Sequence, residues 1–294
     1  MSSPAPIEAI TPAKPKKGPG LARRRFGQLL FAGLLGAGLW ARFFEATWLK
    51  TTQFTVPVGL GGGQLKLLHL SDFHADPMPL DYLQRAVREG IALQPDLICV
   101  TGDFITRKYE EWDAYAQLLA ELPKCAPTFA SLGNHDGGLW ARSIGYADTT
   151  AVRELLARAN IQLLHNAHTV FEHAKGEIHL VGVGDSWAGE LNPYPAFAGV
   201  EAKPDRPTVL LSHNPDTKDV LMHRPWSLML SGHTHGGQID LPLFGTPFAP
   251  VHDKRYVRDL HQIADRWLHI STGVGCLHSV RFNCRPEISL LTLV

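Results

Sequence analysis

The sequence predicts an α/β fold with helices packed outside a sheet core. Two observations carry this reading. From about residue 52 onward, short apolar runs of strand length alternate with stretches of helical spacing, a pattern that lays helices over sheets. Several of those runs stop at a turn that joins Gly or Ser to Asp, Asn or His, which places polar chemistry at the carboxyl ends of strands, where ligands bind in such folds. With 294 residues and 45% apolar composition, the chain can fill the core of one large domain, or of two.

The elements follow in order. Residues 65–70 form an apolar strand, and 80–93 space Leu83, Val87 and Ile91 along one helical face. Strands over 96–101 and 127–132 bracket a helix over 112–122. A helix over 149–159 precedes strands over 177–183 and 207–211; a short helix over 216–222 and a strand over 227–230 come next, and strands over 267–271 and 287–293 close the chain. Residues 186–206 and 240–255 read as long loops, the kind that shape access to a site. No internal repeat is evident.

Charge is balanced, with 28 basic and 28 acidic residues and a pI near 7.3, so no chain-wide pull toward nucleic acid exists and no nucleic-acid partner is expected. The N-terminus is the exception. Lys14, Lys16, Lys17, Arg23, Arg24 and Arg25 crowd it with Glu8 as the lone carboxylate. Residues 1–20, rich in Pro, Ala, Ser and Lys, are expected to be a disordered basic segment. Residues 21–49 are expected to be a signal or membrane anchor, because a basic stretch precedes an apolar run interrupted by Gly33, Gly36 and Gly38. Two arginines, one further residue and Phe26 resemble the twin-arginine export signal. No small-x-small cleavage site stands near Ala37 or Ala46, which favours a retained anchor. The charge asymmetry keeps the N-terminus inside and puts the domain over 52–294 on the extracytoplasmic, periplasmic side of the cytoplasmic membrane. A short buried helix of a cytosolic protein is the alternative.

Of four cysteines none forms a CxxC pair; Cys99 reads as a small core residue, and Cys276 and Cys284 are near enough in sequence for a bridge in an exported domain.

Five short segments carry the chemistry: Asp72-Phe73-His74, Gly102-Asp103, Gly133-Asn134-His135-Asp136, Ser212-His213-Asn214 and Gly232-His233-Thr234-His235. Singly, most have plain explanations. Asp72 could cap the helix over 80–93, although Pro77 and Pro79 intervene; Gly102-Asp103 and Gly133–Asp136 could be turns; His213 could be a hydrogen-bonded core residue. Together, in this order and at strand ends, they describe a two-metal site. Two divalent ions about 3.5–4 Å apart need a carboxylate able to bridge them. Mixed imidazole, carboxylate and amide donors suit Mn, Fe or Zn better than Ca or Mg.

These segments resemble the signature of the calcineurin-like metallophosphoesterases, with all five blocks present, over about residues 63–294. The run Ser231–Gln238 and the tail Arg281–Glu287 further resemble the membrane-associated or twin-arginine-exported bacterial branch. The resemblance implies a four-layer αββα sandwich, of α/β (α+β) class, with two mixed β-sheets flanked by helices and a metal site at strand C-terminal ends. It implies that Asp72, His74 and His235 bind one metal and Asn134, His213 and His233 a second, with Asp103 bridging. His135 is then the catalytic histidine facing substrate, assisted by Asn134. Asp136 either orients His135 or is a turn residue. Arg281 could reach phosphate, although a structural or surface role fits it better. The implied reaction is hydrolysis of a phosphodiester or pyrophosphate by water activated between the ions, on a phosphate-containing small molecule or lipid at the membrane. The alternative activity is that of a UDP-2,3-diacylglucosamine pyrophosphatase of lipid A synthesis; a non-catalytic metal-binding scaffold is the third reading.

Overall fold

A computed structural model of the chain describes residues 21–203 and 206–294, so the disorder expected for 1–20 lies outside the described residues. The chain divides into two compact units, one ending at Leu39 and one running from Trp40 to Val294. Helix α1 (Leu21–Phe43) begins in the first. Its large side chains, Phe26, Leu30 and Leu34 among them, are exposed. The stretch Arg23–Thr47, with mean hydropathy 1.4, is long and apolar enough to cross a membrane.

The second unit holds two six-stranded sheets. The first has the order β1 (Lys50–Val56), β12 (Glu287–Leu293), β2 (Leu65–Leu70), β3 (Leu97–Thr101), β4 (Thr128–Ser131) and β5 (Gln162–Leu163). The second runs β10 (Asp259–Ile263), β11 (Arg266–Ile270), β9 (Leu228–Ser231), β8 (Thr208–Leu211), β7 (Gly176–Gly182) and β6 (Ala167–His173). Both are mixed. β12 runs antiparallel to β2 inside an otherwise parallel sheet, and β6 and β10 are antiparallel edges on the parallel set β7-β8-β9-β11.

The pleat explains the layers. Along β2, β3, β8 and β9 alternate residues point to opposite faces, and both faces are apolar. Leu65, Leu67, Leu97 and Cys99 meet Val209, Leu211, Leu228 and Leu230 between the sheets. Leu68, Leu70, Ile98 and Val100 turn outward onto α2 (Leu80–Ile91), α3 (Trp112–Leu119) and α5 (Thr150–Arg158). On the far side, Leu210, Met229 and Ile270 pack with residues of the short helices α6 (Pro193–Ala196) and α7 (Thr217–Leu221). The outcome is the expected αββα order of layers.

Three features differ from the sequence reading. The helix over 112–122 breaks after Leu119 and resumes as α4 (Glu121–Cys125), because Pro123 has no N–H to continue the α3 ladder. Strands β1, β5, β6 and β10 appear where no strand was expected. Cys276 and Cys284 are both free, so the bridge does not form; the Cys284 thiol contacts the His235 and Gly236 carbonyls instead.

Candidate metal centre

The carboxyl ends of β2, β3, β4, β8 and β9 all deliver side chains to one point. Asp72 and His74 follow β2, Asp103 follows β3, Asn134 and His135 follow β4, His213 follows β8, and His233 and His235 follow β9. Their loops are braced across the sheets. Asp72 N–H donates to the Gly102 carbonyl at 3.0 Å, Gly232 N–H to the His213 carbonyl at 3.0 Å, and His233 N–H to the Asp72 carboxylate at 3.1 Å.

Such tight turns bend the backbone out of its usual range. Asp72, His74, Asp103, His233 and His235 all have φ between 49° and 67°, a left-handed conformation that persists in non-glycine residues only when the surroundings enforce it. The glycines of the motifs supply room. A Cβ on Gly133 would stand 2.2 Å from Asp103 Oδ1, and one on Gly232 would stand 2.1 Å from Asp72 Oδ2.

The donors form two buried sets that meet on one carboxylate. Asp72, His74, Asp103 and His235 present ligand atoms within 4.8 Å of one another, as do Asp103, His213 and His233. His74 Nε2 lies 3.6 Å and His213 Nε2 3.1 Å from Asp103 Oδ2, while His235 Nε2 is 3.5 Å from Asp72 Oδ1. Second partners fix the rings. His213 Nδ1–H donates to the Thr101 carbonyl at 2.7 Å, which points its Nε2 at Asp103. His74 Nδ1 bonds Thr106 Oγ1 at 3.0 Å.

The residues fit a metal pair. Asn134 Oδ1 and His233 Nε2 are buried without a hydrogen-bond partner, a costly state for polar atoms unless a cation takes their lone pairs. Titration points the same way. Burial pushes His74 and His235 well below the ordinary imidazole value, and burial with the nearby His213 takes His233 down to about 3, so these rings stay neutral. Burial opposes the charge on Asp103, but His213, His135 and His74 around it hold its carboxyl well below the usual range. Burial raises Asp72 to about 6, with the Asp103 charge adding to the rise. Against burial, the carboxylates of Asp103, Asp72 and Asp185 lift His213 well above its ordinary value. His74, His233 and His235 as neutral imidazoles beside an ionised Asp103 are a donor set that calls for cations, and a metal at His213 would take the place of the proton that its carboxylate neighbours favour.

His135 stands at the rim. Its N–H donates to Asp103 Oδ1 at 2.9 Å, and its ring Nδ1–H donates to the Thr106 carbonyl at 2.8 Å, which turns Nε2 away from that anchor. Asp136 does not orient this ring, so that expectation is corrected. Its carboxylate accepts the N–H groups of Asp103, Phe104 and Gly133 at 2.7–2.9 Å and ties the β3 loop to the β4 loop. Arg281 likewise stays off phosphate. Fully buried, it donates to the carbonyls of His235, Cys284, Thr272, Gly273 and Gly275. Asp72 caps no helix, since α2 starts after Pro79.

Sequence reasoning missed four residues. Thr106 serves two histidines at once, with its hydroxyl on His74 and its carbonyl on His135. Trp140 packs 4.2 Å from the His135 ring and Trp187 4.5 Å from the His233 ring, forming an aromatic wall. Asp185, at the end of β7, accepts the N–H groups of Trp187 and Ala188 and sets that wall. One signal was present for Asp185: Gly184-Asp185 follows an apolar run, as Gly102-Asp103 does. The cleft over the cluster, about 460 Å³, is lined by these tryptophans, His135, Ile239, Phe248 and Leu277 among others, with no lysine or arginine among the described residues.

Two buried donor sets sharing one carboxylate, at the strand ends of a two-sheet sandwich, define a metal-dependent hydrolase. The calcineurin-like phosphoesterase profile matches residues 65–237, which contain all five motifs. Phosphodiesterase YaeI of Escherichia coli is 39% identical over 280 residues, covering 93% of this chain and 100% of that protein. The metallophosphoesterase YkuE of Bacillus subtilis is 30% identical, covering 93% and 98%. The UDP-2,3-diacylglucosamine pyrophosphatase LpxG of Chlamydia trachomatis is 28% identical, covering 86% and 92%. The chain belongs to the calcineurin-like phosphoesterase family and is a metal-dependent phosphoesterase.

Proposed function

We propose that the chain is a membrane-anchored phosphodiesterase whose catalytic domain, residues 52–294, works on the extracytoplasmic side of the cytoplasmic membrane. In this reading Asp72, His74 and His235 hold one divalent ion, Asn134, His213 and His233 hold a second, and Asp103 bridges them. Mn, Fe or Zn suit the donors. The observation that carries the assignment is the Asp103 carboxylate, common to both buried donor sets.

A bound metal pair supplies Lewis acidity and lowers the pKa of a water. The protein does the rest. Asp103 and the neutral imidazoles fix where the ions sit. His135, its Nδ1–H spent on Thr106, directs Nε2 to the cleft, and in its doubly protonated form would pass the Nε2 proton to the leaving oxygen and keep the Nδ1 proton. Trp140 and Trp187 hold that ring and His233 in place and exclude water from one side.

The lining favours a singly charged phosphodiester with apolar substituents. The pyrophosphatase reading is kept as second because of the likeness to the Chlamydia trachomatis protein. Two experiments decide. Purified protein should hold two ions per chain and hydrolyse bis(p-nitrophenyl) phosphate; Asp103→Asn should lose about a thousandfold in turnover and both ions. A variant that keeps two ions and full rate removes the bridging role. Protease should digest the domain in intact spheroplasts. Protection until lysis would place the site in the cytosol and make UDP-2,3-diacylglucosamine the first substrate to test.

A further inference from the structure

The loop between His235 and β10 ends in an apolar tip. Residues 241–251, Leu-Pro-Leu-Phe-Gly-Thr-Pro-Phe-Ala-Pro-Val, contain no charged side chain. Leu243 and Phe244 at the apex are 103% and 80% exposed, and Phe248 at the base is 69% exposed. Single exposed apolar residues are common on protein surfaces. Leu243 is different, because its φ of 71° is a conformation that bulky L-residues avoid. A strained leucine with its side chain in solvent does nothing for the folded domain, and strain held without packing points to function.

Two further features select what the tip meets. The turn is closed at its base by backbone bonds between Leu241, Phe244 and Gly245. Leu241 N–H donates to the Gly245 carbonyl at 2.8 Å, and Gly245 N–H and Phe244 N–H donate to the Leu241 carbonyl at 2.8 and 3.0 Å. Phe248, four residues beyond Phe244, also both faces solvent and lines the catalytic cleft with Ile239 and Pro250. Beyond the tip, the chain carries the apolar helix α1, and only residues 44–49 separate it from β1. That tether reaches no farther than about 20 Å. A bilayer that holds α1 is therefore within the domain's immediate neighbourhood. Two side chains on a narrow turn cannot supply the roughly 800 Å² per partner of a stable protein interface.

We infer that residues 241–248 are a bilayer-docking element. Leu243 and Phe244 enter the acyl region of a lipid membrane, and Phe248 holds the mouth of the cleft at that surface. An amphiphilic phosphodiester then reaches the metal site without leaving the bilayer fully. This rests on the membrane-anchored reading proposed above.

The test uses the full chain in vesicles of phosphatidylcholine with a minor share of phosphatidylglycerol. Leu243→Cys, in a Cys125→Ser background that removes the exposed native thiol, carries an environment-sensitive fluorophore. The control label sits at Glu172→Cys, an exposed position on β6. The expected result is emission shifted to the blue at position 243, quenching by nitroxides on lipid chains and shielding from iodide, with position 172 open to iodide. Co-flotation with vesicles while position 243 stays open to iodide overturns the docking element and leaves the anchor standing. Shielding from iodide without lipid quenching also overturns it, since a protein partner or second copy then covers the tip. Equal lipid quenching at both positions overturns it as an effect of the label. A chain that fails to float with vesicles removes the anchor, and the proposal with it.

Discussion

His135 and Arg281 show how much a side chain's role depends on where its polar atoms already point. The ring of His135 is committed at Nδ1 to the Thr106 carbonyl, which leaves Nε2 as the nitrogen that would meet a leaving oxygen in the proposed reaction. His135→Ala should therefore cost about a hundredfold with an alkyl phosphodiester and clearly less with a nitrophenyl ester, whose leaving oxygen needs no proton. The measurement is kcat/KM across a leaving-group series; equal losses would assign the ring to charge stabilisation alone. Arg281, by contrast, has its guanidinium fork spent on backbone carbonyls behind the cluster, with the His235 carbonyl among them. Arg281→Lys keeps the charge but loses the planar fork. We expect about 2–4 kcal/mol of lost stability in urea unfolding, because buried carbonyls are left unpaired. Full stability in this variant would show that water or a local shift replaces those bonds.

At the scale of elements, β2 and β11 are joined across the sandwich by two buried histidines, with His69 Nδ1 and His269 Nδ1 2.8 Å apart and His69 Nε2 on Thr101 Oγ1 at 2.8 Å. Burial lowers both, His269 to about 3 and His69 well below its ordinary value with help from the His269 charge. With folded pKa values below the unfolded value near 6.5, the neutral pair contributes fully above about pH 6.5 and its contribution is lost as pH falls toward about 3. Replacing both by leucine should flatten the fall in urea midpoint between about pH 7 and pH 5; an unchanged slope would locate the acid sensitivity elsewhere. The strands themselves were legible in the sequence according to their neighbours. The strands read correctly lie inside the sheets, where burial on both faces writes a continuous apolar run. The four that were missed, β1, β5, β6 and β10, are the four sheet edges, where half the side chains meet water and the run dissolves into residues such as Lys50, Thr51 and Gln53. The motif residues were legible for the opposite reason: each group is local, set in a short turn after a strand. Thr106, Trp140 and Trp187 were not, since each acts by touching a residue from another segment.

For the whole domain, the metal centre is a stability problem that its ligands alone leave unsolved. Asp72, His74, Asp103, His213, His233 and His235 are all buried at the meeting of the two sheets, and every one of the five site-bearing loops ends there. Charged and polar atoms so placed cost several kcal/mol unless cations offset them. Folding and metal binding are accordingly linked: ions that bind only the folded state stabilise it by about 2.7 kcal/mol when present at a hundred times their Kd. For a domain of this size each kcal/mol moves the unfolding temperature by about 2–4 °C, so chelation should lower Tm by about 5–10 °C. Added Mn should restore it in a concentration-dependent way, tracked by calorimetry. Asp103→Asn should respond weakly to either treatment, because the carboxylate common to both donor sets is gone. A Tm that ignores chelator in the parent protein would mean that the buried donors are satisfied without metal, and the two-ion assignment would fail along with the catalytic reading built on it.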